Sequence, residues 1–154
     1  MPTPVQVVAI EPRPTVVIAE ATSWEQFPSL WPKLLDEVYR FVRSCPDFAP
    51  AAGPAPRWQN VMLYLDQRPA VEIGVLAPAL FTPAGRVLAS TLPGGDVART
   101  VHRGDYARLG DSHAAVHAYI REHGLQAAGP IWEIYGHRTP DPDQPETEIY
   151  HLLR

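Results

Sequence analysis

A long internal repeat most restricts how this chain can fold. Thr22-Ser23-Trp24 opens toward one amphipathic run as Gly104-Asp105-Tyr106 opens toward another, and Phe27, Leu34 and Val38 then fall without a gap on Leu109, Val116 and Ile120. In the first run Leu30, Trp31, Leu34, Leu35, Val38, Phe41 and Val42 recur every three or four residues, the stripe of a helix. Ser29 is the expected cap, which leaves Pro32 in the first turn, where its missing N–H costs nothing. The second helix is expected from about Ser112 to His123, capped by Asp111 or Ser112 and stopped by Gly124.

Period-two alternation marks strands at Val5 to Ile10 and Val16 to Ala21, at Gln59 to Leu65 and Ala70 to Val75, and at Ile131 to His137 and Thr147 to Leu153. Arg86 to Leu92 and Asp96 to Arg103 read as a hairpin turned by Pro93-Gly94-Gly95. Asp66-Gln67 leads to Glu72-Ile73 as Asp143-Gln144 leads to Glu148-Ile149, so the later strands repeat too. The expected fold is α+β: one domain over 1–154, with pseudo-repeats at about 5–76 and 86–154. Each is a strand-helix-strand-strand unit, and the two would form one mainly antiparallel curved sheet with both helices on one face. The other face would be left to enclose something.

Composition removes several function classes. One cysteine, Cys45, allows neither an internal disulfide nor a thiolate-rich metal site, and makes a reducing, cytoplasmic setting the expectation. Thirteen basic against 17 acidic residues, with no basic cluster, argue against direct nucleic-acid binding. No apolar run suits a signal peptide or a membrane span. The GxSxG elbow, P-loop and dinucleotide fingerprint are all missing, so no cofactor is expected. His113 and His117 stand four apart on the second helix, as two zinc ligands would, but no HExxH accompanies them and no third ligand is evident. They read as solvated surface histidines, and no metal is expected.

The stretch GPIWEIYGH, Gly129 to His137, holds an acid inside a strand of β-branched and aromatic residues. An unpartnered carboxylate there would be costly. The repeat sets Met62 opposite Glu133 and Tyr64 opposite Tyr135, so the acid is a local exception, and such exceptions gather at functional sites. Alternation assigns Trp132 and Ile134 to the helix-packed core, and Glu133 and Tyr135 to the free face. There a carboxylate ringed by aromatic faces would suit an organic cation, each cation–π contact contributing about 0.5–2 kcal/mol. The alternative is a structural ion pair with Arg99 or Arg103. Tyr64, Tyr150, Met62 and Phe81 are further candidates for the ligand wall, while Trp24, Trp31 and Trp58 could be core or rim. His102 could border the site or cap a sheet edge.

Leu92 to Tyr106, with its His102-x-Gly104-x-Tyr106 close, and Gly129-Pro130-Ile131-Trp132-Glu133-Ile134-Tyr135 followed by Glu146-Thr147-Glu148-Ile149, together resemble the GyrI-like effector-binding domain family. The resemblance covers essentially the whole chain and is best from Gly85 onward. It implies a tandem-repeat fold with a cleft between the halves that takes bulky, apolar and often cationic small molecules, Glu133 matching the family's acid. Some relatives hydrolyse cyclopropane-bearing electrophiles with that acid and a tyrosine. No helix-turn-helix precedes the repeat in this sequence, so a regulator's role would need a partner.

Two principal readings follow. The first is a sensor or sequestration module with Glu133 as counter-ion and tyrosines as walls. The second is a hydrolase in which Glu133 activates water or protonates a carbon and Tyr135 stabilises developing charge. A third, inhibition of a larger protein by direct binding, stays open.

Overall fold

The computed structural model describes residues 4–45, 59–77, 81–135 and 146–154. Trp58, His137 and the Asp143-Gln144 half of the repeat lie outside them. Among the described residues run β1 (Gln6–Ile10), β2 (Arg13–Ala21), α1 (Phe27–Ser44), β3 (Asn60–Tyr64), β4 (Ala70–Leu76), β5 (Leu88–Leu92), β6 (Gly95–Arg103), α2 (Leu109–Glu122), β7 (Ala127–Tyr135) and β8 (Glu146–Leu153). The chain is α+β, its strands paired antiparallel.

It divides into two compact units, Arg13–Leu92 and Met1–Pro12 with Pro93–Arg154. In the first, β4 pairs with β3 and β2, and β2 pairs in turn with β5. In the second, β6 pairs with β1 and β8, and β8 pairs in turn with β7. The expected hairpin is therefore not formed: β5 joins β2 while β6 joins β1. Proline explains the misreading. Two-residue hairpins need a positive φ at their first central position, which Pro93 cannot adopt, and Pro12 likewise disfavours a tight turn after β1. Gly94 is required for another reason. A Cβ there would stand 2.6 Å from Pro12 Cδ, where the segment after β1 lies against the one before β6.

Helix α1 begins earlier than its sequence suggests. Pro28 occupies its first turn, and Ser29 lies inside it, its hydroxyl donating to the Gln26 carbonyl rather than capping. Pro32 is consequently interior. The apolar stripe behaves as expected, burying Phe27, Leu34, Leu35, Val38 and Val42. Helix α2 follows a short 3₁₀ turn, Tyr106–Arg108, whose N-cap Asp105 accepts from the Ala107 N–H. Its Val116 and Ile120 pack on Ala98 of β6 and on Ile149 and Leu153 of β8. Gly124 follows with φ of 65°, the left-handed conformation that closes a helix at little steric cost to glycine.

Candidate functional site

The pairing register decides which side chains share a face. On β7 and β8, Ile131 lies opposite His151, Glu133 opposite Ile149, and Tyr135 opposite Thr147. Because Ile149 packs against α2, Glu133 and Tyr135 point toward the helix as well. This reverses the orientation expected from alternation alone. Trp132 and Ile134, each 1% exposed, lie on the face turned away from α2. The sequence shows that two sets of residues alternate, but an apolar set does not reveal which side carries the helix when both sets hold buried residues.

Under α2 the acid is engaged at both oxygens. The Tyr135 hydroxyl donates to Glu133 Oε1 at 2.8 Å, and His113 Nε2 lies 2.8 Å from Glu133 Oε2. His113 Nδ1 lies in turn 2.9 Å from His151 Nε2. The two arginines expected as its partners pair with other acids, Arg99 with Glu148 at 3.3 Å and Arg103 with Glu146 at 3.2 Å. His117 meets the His151 ring edge-on, with centroids 4.7 Å apart. Burial, and then the adjacent His113 and His117, push the His151 imidazole down to about 3. Partial desolvation of the otherwise exposed His117 likewise lowers it, helped by His113 and Arg121. The Tyr106 ring contacts Tyr135 edge-on at 5.7 Å. His102 is pinned to the start of α2, with Nδ1 2.8 Å from the Ser112 hydroxyl and Nε2 2.8 Å from the Asp105 carbonyl.

A second acid occupies the opposite face. Register places Arg99 across from Tyr150 and Val101 across from Glu148, on the side of Trp132 and Ile134. The Tyr150 hydroxyl donates to Glu148 Oε1 at 2.7 Å, and Arg99 Nη2 reaches the same oxygen at 3.3 Å. The Arg99 guanidinium sits 5.5 Å from the Tyr150 ring centre. Trp132 stacks on Tyr150, nearly parallel at 9°, with centroids 5.4 Å apart. Burial chiefly, then the hydrogen bond and charge of Glu148, push the Tyr150 phenol up to about 12, against Arg99. Sequence reasoning reached Tyr150 but passed over Glu148 as a site. The available signal was its match with Glu72 in the other repeat, whose carboxylate also finds a hydroxyl, that of Ser90.

The remaining candidates belong to the unit Arg13–Leu92. Met62 is buried, and the Tyr64 hydroxyl points to its sulfur at 3.7 Å. Tyr64 packs with Phe27 of α1 and with Trp24, centroids 5.6 and 5.5 Å away, so β3 turns these side chains toward α1. Trp24 remains more than half exposed, its indole N–H donating to the Gln67 carbonyl. Phe81 meets Phe41 edge-on at 5.8 Å. The structure thus groups Glu133 with Tyr135, sets Tyr150 on the other face of the same strands, and places Met62, Tyr64 and Phe81 in the other unit. No helix among the described residues is long and apolar enough to cross a membrane.

No family model and no curated protein matches the chain. Solved structures do. The EcmrR C-terminal domain matches with a TM-score of 0.76 at 14% identity, over 99% of this chain and 98% of that one. SAV2435 bound to tetraphenylphosphonium matches with a TM-score of 0.70 at 13% identity, over 98% of this chain and 94% of that one. A hydrolase from Listeria innocua matches with a TM-score of 0.62 at 10% identity, over 99% and 92%. The repeated strand-helix units, their antiparallel pairing and these likenesses across nearly the full length agree that the chain has the GyrI-like effector-binding fold.

Proposed function

We propose that this protein binds a bulky, apolar organic cation on the face of β7 and β8 turned away from α2, with Glu148 as counter-ion and Tyr150, backed by Trp132, as aromatic wall. The carrying observation is the shared oxygen: Glu148 Oε1 is held by the Tyr150 hydroxyl and only loosely by Arg99. A partly exposed ion pair of this kind contributes about 0–1 kcal/mol, so an incoming cation can displace it. A Tyr face then adds about 0.5–2 kcal/mol of cation–π attraction. Glu133 is the poorer counter-ion, because His113 and Tyr135 already engage it beneath α2. The likeness to a tetraphenylphosphonium-binding protein supports the ligand class.

The test is titration with tetraphenylphosphonium, followed by calorimetry and tryptophan fluorescence. Glu148→Gln is expected to lower affinity at least tenfold, while Glu133→Gln leaves it within about twofold, on the scale where 1.4 kcal/mol is a factor of ten. Loss of binding in Glu133→Gln alone would return the site to the α2 side.

A second reading, hydrolysis of a small electrophile, draws support from the Tyr135 hydroxyl held on Glu133 and from the likeness to the Listeria hydrolase. In it the carboxylate would activate water while the phenol hydrogen-bonds the developing charge. Turnover of a reactive cyclopropane that ceases in Glu133→Gln, but not in Glu148→Gln, would establish this chemistry.

A further inference from the structure

Four polar side chains meet under α2 where the other repeat is apolar. By the 82-residue offset that aligns the helices, His113 and His117 match Trp31 and Leu35; by the strand alignments, Glu133 matches Met62 and His151 matches Val75. A core that needed only packing would not exchange all four positions in one unit alone.

The hydrogen-bond pattern follows from the acid. Glu133 accepts from His113 Nε2 at 2.8 Å, and in that Nε2–H tautomer the Nδ1 lone pair faces His151 Nε2 at 2.9 Å. The other nitrogen of His151, Nδ1, is buried and has no hydrogen-bond partner among the described residues. A fully buried imidazole with one nitrogen unsatisfied is costly for a hydrogen-bonding role alone.

We propose that His113 Nδ1, His151 Nε2 and the His117 ring bind one divalent transition-metal ion, zinc or a metal of similar preference, with Glu133 as the outer carboxylate that orients His113. The third ligand that helix spacing lacks is supplied by β8. A carboxylate on the far nitrogen of a ligating histidine is a common arrangement, fixing its tautomer and raising its basicity. Three imidazoles and one open position are the ligand set of many zinc sites. As they stand His113 and His151 bond to each other while His117 meets His151 only edge-on, and no such group among the described residues is arranged to hold an ion. Two nitrogens on one tetrahedral zinc, with bonds of about 2.0–2.1 Å, stand roughly 3.3 Å apart. The 2.9 Å pair therefore needs to spread by only a few tenths of an ångström, and the exposed His117 can swing to complete the set. The ion replaces the ring-to-ring hydrogen bond, and His151 moves its proton to Nδ1.

The experiment titrates the metal-free full chain with Zn(II) by calorimetry and with Co(II) by visible absorption. One equivalent is expected, with the intense Co(II) bands of a tetrahedral site. His117→Ala, at an exposed position that leaves the fold intact by circular dichroism, and His113→Ala should each abolish the bands. Glu133→Gln should weaken affinity about 10–100-fold. His123→Ala, which removes the helix-end ring stacked on Tyr119, should change nothing. Absence of stoichiometric binding by the parent overturns the proposal, as does binding that survives His117→Ala or disappears with His123→Ala. Neither outcome bears on Glu148 and tetraphenylphosphonium.

Discussion

Tyr150 and Glu148, two residues apart on β8, point to the same face and share a hydrogen bond of 2.7 Å. Burial first, then the bond to Glu148 and its negative charge, hold the phenol at about 12. Its folded value therefore lies above the value near 10 of an unfolded chain. The sign follows from linkage: the contribution to stability is fully present below about pH 10 and is lost as pH rises through about 12. Tyrosinate absorbance should show a late step near pH 12 that vanishes in Tyr150→Phe and moves down in Glu148→Gln. A parent titration complete by pH 11 would mean that the pair does not form.

Arg99 shares the oxygen that would serve an incoming cation, so it should act as a competitor. Arg99→Met keeps the aliphatic stem over Tyr150 and removes the charge. Because a pair exposed to this degree is worth no more than about 1 kcal/mol, tetraphenylphosphonium affinity should rise about two- to fivefold, as read by calorimetry. Weaker binding in this variant would instead make Arg99 a contributor to the site.

The repeat was legible because two amphipathic helices of matching phase leave the same mark in any sequence, and Leu34 and Val38 against Val116 and Ile120 did so. Strand partners were less so. Alternation gives a period, not a neighbour, and the short Pro12 and Pro93 connections looked like turns although their φ forbids the usual hairpin types. Glu133 stood out as an exception to the repeat, yet its direction could not be read. Trp132 and Glu133 are both buried, so neither face advertised itself as the outer one. His151 was invisible as a partner of His113 because their proximity depends on α2 lying over β8, a relation between residues 38 apart in sequence.

Gly74 fills a position in β4 where no side chain fits. A Cβ there would lie 1.8 Å from the Val16 carbonyl oxygen, with two more backbone atoms at 2.8 Å. Those atoms belong to the central pair of β2 and β4, which cannot part without losing ladder bonds on both sides. Gly74→Ala should therefore cost more than about 4 kcal/mol, the exceptional end of single-residue effects, and should yield little folded protein. A melting temperature within a few degrees of the parent's would contradict this packing. Gly85→Ala is the contrasting variant, since nothing lies within 4 Å of its added carbon and only its φ of 61° resists.

The turn between β3 and β4 hangs on one carboxylate. Asp66 accepts from the Arg68 guanidinium at 2.7 and 3.0 Å and from the Arg68 and Ala70 backbone N–H groups at 3.0 and 2.9 Å. The Arg68 side chain foremost, then the Ala70 N–H, hold its carboxyl at about 2 rather than 3.8. A depressed acid stabilises the fold above its unfolded value, and that contribution is lost as pH falls from about 4 toward 2. Asp66→Asn keeps the shape of the side chain but cannot titrate. Urea midpoints measured across that window should fall more steeply for the parent than for the variant, the two curves converging at the acid end. Parallel curves would show that the carboxylate gains nothing from its turn, because solvent already serves it equally well in the unfolded chain.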